Sequence, residues 1–188
     1  MSSFLKKPIK PINKNIDNLK NITIETTDED TYLKLIRDKL SSNSFLDAES
    51  IALNAYKNYP NNIFIQYAYS LTLSKVNKYK ESNQLLSEII EKDSEYQDAI
   101  MRLGINYMHL KQYKDAKFNL LKALDLNPNS FHNQNYTVSL YMGHQKYNNV
   151  IKHYKKFNKI LQNNDFVQNC LGVSYIRLGN AEKSLNYF

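Results

Sequence analysis

The chain of 188 residues has one cysteine, no tryptophan, four glycines and four prolines. A single thiol excludes an internal disulfide and any zinc site built from several thiolates of one chain. Gly104, Gly143, Gly172 and Gly179 stand in no phosphate-loop or dinucleotide-binding pattern. Such low glycine and proline content also speaks against β-rich folds with many tight turns. No apolar run approaches the roughly 20 residues of a membrane span. The N-terminal stretch Met1 to Pro8 lacks the apolar core of a signal peptide. These absences predict a soluble, cytoplasmic protein whose lone thiol stays reduced.

Acidic residues are scarce in one half only. Residues 97–188 carry twelve basic and five acidic side chains, whereas residues 29–96 carry eight and ten. The net charge of +7 therefore sits mainly in the C-terminal half. Such a half suits nucleic acid, acidic proteins, membrane surfaces or a solvated lysine surface.

What the chain does have is a period. Phe45, Tyr79, Tyr113 and Tyr147 are each 34 residues apart. Ala48, Ser82, Ala116, Val150 and Ser184 keep the same interval, as do Ala55, Ile89, Ala123 and Phe157. Pro60 and Pro128 are two intervals apart, as are Leu103-Gly104 and Leu171-Gly172. Several columns agreeing on one register define an internal repeat. Within a repeat, apolar residues fall three and four apart, as in Ile100, Leu103, Tyr107 and Leu110. The pattern predicts helices of about 13 residues in pairs, with Pro60 and Pro128 ending the second helix of a pair. Gly104, Ala116 and Ala123 are small enough for the two helices to approach closely. Gly179 is placed at a turn that needs a left-handed backbone.

At residues 97–130 the chain resembles the tetratricopeptide repeat family. Leu103, Gly104, Tyr107, Ala116, Leu120, Ala123 and Pro128 stand in that family's pattern. The resemblance extends over 29–62, 63–96, 97–130 and 131–164, with a partial repeat at 165–188 and a flexible arm at 1–28. Departures are Ser94 and Gln162 at proline positions, and Thr137-Val138 at the Leu-Gly position. The resemblance implies an all-α, right-handed superhelical solenoid of antiparallel helix pairs. It also implies a concave groove lined by the first helix of each repeat. Carried onto this chain, that groove holds Leu33, Arg37, Phe64, Tyr67, Leu71, Met101, Ile105, Met108, Asn135, Met142 and Asn169. The clamp for chaperone C-termini known in the family finds only Arg102 of its five polar residues here, which argues against that ligand.

No catalytic, metal or cofactor site emerges. His109, His132, His144 and His153 show no spacing that suits a helical zinc site, and Cys170 lies within a helix pattern as a core-type thiol. Lys152, Lys155, Lys156 and Lys159 fall on one helix stripe, and Lys122 extends it from the preceding repeat. With Val150, Tyr154 and Phe157 on the packed stripe, these lysines point outward to the convex side. The patch is nearly all lysine, which argues against a nucleic-acid face.

The resulting expectation is a non-catalytic scaffold that binds an apolar peptide or helix of a partner protein in its groove. The alternatives are a substrate-recruiting domain of a larger enzyme, such as a glycosyltransferase, and a nucleic-acid-associated factor using the lysine patch. Residues 181–188 read as half of a second helix, with Leu185 and Phe188 at core-type positions. An uncapped end of that kind predicts a longer repeat protein or self-association there.

Overall fold

The computed structural model describes residues 28–187. Its helices are α1 (Glu29–Ser41), α2 (Phe45–Asn58), α3 (Ile63–Lys75), α4 (Tyr79–Lys92), α5 (Gln97–His109), α6 (Tyr113–Leu126), α7 (Phe131–Gly143), α8 (Tyr147–Leu161), α9 (Asp165–Arg177) and α10 (Ala181–Ser184). A short 3-10 turn, Leu185–Tyr187, follows. No strand occurs among the described residues. Of the segment expected to be an arm, all but Asp28 lies outside the described residues. Asp28 itself caps α1, accepting a hydrogen bond from the Thr31 N–H.

Each repeat is punctuated by the same two devices. The first is an N-cap at intervals of 34: Asp28, Asn62, Ser130 and Asn164 each accept a backbone N–H of the helix that follows. Their oxygens satisfy donors that the first helical turn leaves unpaired. Tyr96 takes this place before α5 and supplies no cap hydrogen bond. The second device ends the first helix. Asn43, Asn77, Lys111, Gln145 and Gly179, again 34 apart, all have positive φ, from 56° to 78°. Around each, two backbone bonds close a Schellman motif, for example Lys111 N–H to the Met108 carbonyl and Gln112 N–H to the Tyr107 carbonyl. The chain is thereby reversed after every first helix.

Second helices end as their sequences require. α2 and α6 stop before Pro60 and Pro128. After α4, where Ser94 replaces proline, the Asp93 carboxylate accepts the Glu95 N–H and makes the turn instead. α8 has no such stop; it runs to Leu161 with non-helical backbone angles at Phe157.

Packing is tightest between α5 and α6. A Cβ at Gly104 would stand 2.9 Å from the Leu120 Cγ and 3.1 Å from its backbone nitrogen, so only glycine allows this approach. In the next repeat Val138 takes the same place, and α7 and α8 come less close to one another. The wider space holds Tyr141, His153 and Phe157, whose rings meet edge-on and tilted. Small residues fill the other second helices at the contact: Ala48, Ala52 and Ala55, then Ser82, then Ala116 and Ala123, all buried.

Successive first helices contact each other along the array, while successive second helices stand apart. The first helices therefore form the inner face of the solenoid and the second helices the outer one. Repeats are stitched by recurring polar links. Gln66, Gln134 and Gln168, at one repeat position, donate from Nε2 to the carbonyls of Pro60, Pro128 and Gln162 in the preceding loops. Phe45 faces Lys75, Tyr79 stacks on His109 at 4.7 Å, and Tyr113 meets His144 edge-on at 4.0 Å. The column of ring residues at the start of the second helices thus bridges to the following repeat.

Candidate functional site

The inner face is built by α1, α3, α5, α7 and α9, each of 13 residues. Its sequence-expected residues divide into three groups. Met101 and Ile105 are core: they are 7% and 4% exposed and pack with Ile100, Leu120 and Leu140. Their apolar side chains pack toward α6 and α7, and Ile105 also borders the pocket on the inner face. Leu33, Tyr67, Leu71, Met108, Asn135 and Met142 are half-buried. Leu33 leans on the α1–α2 core and Met108 on the α5–α6 core. Asn135 accepts from the Asn164 amide at 2.7 Å, and the Met142 sulfur accepts from the Ser174 hydroxyl. Only Arg37, Phe64 and Asn169 are fully open, with Phe64 59% exposed.

The middle of this face is consequently polar. A pocket of about 240 Å³ opens where α3, α5 and α7 meet, lined by Ser74, Lys75, Arg102, Asn106, His109 and Tyr136 among others, with no carboxylate. Behind it lies a buried network that sequence reasoning missed. The Ser74 hydroxyl donates to Asn106 Oδ1 at 2.8 Å. Asn106 Nδ2 donates to Ser82 Oγ and to Asn83 Oδ1, and Ser82 donates to the Ser70 carbonyl at 2.8 Å. Buried polar groups carry a cost unless paired, and here each finds a partner. The signal was the serine at position 82, which stands in a column that otherwise holds alanine and valine as well as a second serine.

Arg102, beside this network, is an exception, as is His144 at the end of α7. The Arg102 guanidinium lies beside the Tyr67 hydroxyl, which burial pushes up from the usual phenol range while the positive charge pulls it down. Yet Arg102 Nε is buried without a hydrogen-bond partner among the described residues. Tyr67 also packs against Tyr96, ring centres 5.6 Å apart.

On the outer face, Lys152, Lys155, Lys156 and Lys159 are exposed along α8 and Lys122 is half-buried on α6. The packed stripe of α8 consists of buried Val150 and His153 with half-buried Tyr154 and Phe157. His153 is the polar member of this stripe. Its ring pairs with Gln134, and burial, with Lys156 nearby, pulls its pKa down to about 4. Cys170 is buried, and burial pushes its thiol up, away from a reactive thiolate. Among the described residues no group of three or more His, Cys, Asp or Glu could hold a metal, and no described helix is long and apolar enough to cross a membrane. Leu185, expected at a core position, is 77% exposed in the terminal 3-10 turn; Phe188 lies outside the described residues.

Repeated helix pairs with this turn chemistry define an α-solenoid of tetratricopeptide type. Residues 97–130 match the family model of the tetratricopeptide repeat. Among solved structures, MamA aligns over 87% of this chain and 92% of its own, with TM-score 0.71 and 18% identity. MamA from Desulfovibrio magneticus aligns over 85% and 90%, with TM-score 0.71 and 16% identity. YrrB, a TPR protein with an unusual peptide-binding site, aligns over 85% and 82%, with TM-score 0.63 and 19% identity. No curated relative matches the sequence. At such identities the likeness establishes the shared fold.

Proposed function

We propose that this protein is a non-catalytic scaffold that holds a segment of a partner protein on its inner face. The observation that carries this reading is the unpartnered, buried Arg102 Nε beside a pocket without carboxylates. A buried cationic donor lacking an acceptor is costly, and a ligand oxygen would satisfy it. Lys75 and His109 line the same pocket and add donors. The open Phe64 ring and the half-buried Tyr67 and Leu71 offer apolar contact next to it. The ligand is therefore less uniformly apolar than Met101 and Ile105 suggested: a segment with apolar side chains flanking an acidic one. The peptide-binding site of YrrB, on the same fold, supports the general use.

A random peptide library selected on the full chain tests this. Selected peptides are expected to carry Asp or Glu next to an aromatic or aliphatic residue. Arg102→Gln and Lys75→Gln should each weaken them about tenfold, a loss typical of an interfacial charge pair, with helix content unchanged. Peptides that bind both variants as well as the parent chain would overturn the reading.

A further inference from the structure

The outer face carries a feature that the peptide-holding reading leaves unused. α6 and α8 have no close backbone approach, and a furrow runs between them and onto the exposed side of α6. Three hollows of about 210, 250 and 450 Å³ adjoin. The first two share Tyr141 and Asn149, and the second and third share Leu121 and Asp125. Second helices stand apart throughout the array; at this place α8 also packs less closely on α7, where Val138 replaces glycine, and departs from helical geometry at Phe157.

The furrow has an apolar floor and a basic rim. Leu121, Tyr141 and Phe157 lie along its bottom, and Phe118 stands beside it, 70% exposed. A large ring is left open in this way, and Tyr113 and Leu126 are also exposed on α6. Around it stand Lys114, Lys117, Lys122, Lys146, Lys152 and Lys156, against one acid, Asp125. α6 has 14 residues, so the furrow is about 21 Å long at 1.5 Å per residue.

We propose that this furrow is a second docking site, which takes an acidic amphipathic helix of a partner protein. Its length accommodates about four helical turns. Its floor suits the apolar face of such a helix, and its lysines suit carboxylates on the flanks. The chain's own N-terminal segment is the wrong occupant by charge, since residues 1–27 carry five lysines against Asp17 and Glu25. The rim contains no arginine, which disfavours phosphate backbones.

The probe is a fluorescent 14-residue synthetic peptide, matched to α6 in length, with glutamates on one helical face and leucine and phenylalanine on the other. Anisotropy is read against the full chain. The expected result is micromolar binding that weakens about tenfold in Phe118→Asp and in the Lys117→Glu, Lys156→Glu double variant. These side chains are exposed, so circular dichroism should not change. Arg102→Gln should leave this peptide's affinity intact, which separates the furrow from the inner-face site. Absence of binding at about 1 mM peptide, or equal binding of a scrambled peptide of the same composition, overturns the proposal. So does tighter binding of single-stranded DNA or of phosphatidylserine vesicles. Self-association in sedimentation that Phe118→Asp abolishes would assign the furrow to a second copy and overturn it equally.

Discussion

Lys111 and Gln145 hold a left-handed backbone, with φ of 59° and 56°, where the fifth turn uses Gly179. A side chain in that conformation meets its own carbonyl, a strain of roughly 1–2 kcal/mol, partly offset by the lower chain entropy of a non-glycine residue when unfolded. Lys111→Gly and Gln145→Gly should therefore each stabilise by about 0.5 kcal/mol in urea titrations. Gly179→Ala should destabilise, although open space surrounds it. His153 gives a pH signature. Its folded pKa, about 4, lies below the ordinary value of 6.5. Between these values the unfolded chain binds a proton that the folded chain excludes. Stability is complete above pH 6.5 and falls as pH drops toward 4, by up to about 3 kcal/mol. His153→Gln, which keeps a hydrogen-bonding group beside Gln134, should flatten this part of the pH–stability curve measured by chemical denaturation.

At the scale of elements, one position sets the spacing of a helix pair. Gly104 lets α5 lie directly on Leu120 of α6, whose backbone nitrogen would stand 3.1 Å from an added Cβ. A backbone atom yields less than a flexible side chain, so Gly104→Val should cost about 1–3 kcal/mol. Thermal unfolding with the intact helix content checked at low temperature measures it. The buried Ser74–Asn106–Ser82 network does comparable service between α3, α4 and α5. Asn106→Ala leaves two hydroxyls and Asn83 short of a partner and should cost about 1–3 kcal/mol.

For the molecule as a whole, each repeat contacts its neighbours only, so damage to a central interface splits the array. Ile105 joins the α5–α6 core to Leu140 of the following repeat. Ile105→Asp buries a charge there and should unfold the centre of the array, removing more than half of the helical circular dichroism signal. Phe64→Asp, on the same face but open, should leave that signal unchanged and alter only ligand binding. The pair of variants separates core from surface on one helix face.

The 34-residue period by itself determined the helix pairs and their order, because it repeats the small residues, prolines and rings that local geometry and close packing demand. The left-handed turn was legible at Gly179, where the residue type announces it, and hidden at Lys111 and Gln145, where the Schellman hydrogen bonds impose it. The inner face was legible as a set of positions but not as a surface. Met101 and Ile105 are buried because they pack with Leu120 and Leu140, and Arg102 Nε lacks a partner although its guanidinium lies beside Tyr67; both depend on how α3, α5 and α7 come together. The lysine stripe could be read from helical spacing. The furrow between α6 and α8 could not, since it depends on how far apart successive second helices stand once the repeats are stacked.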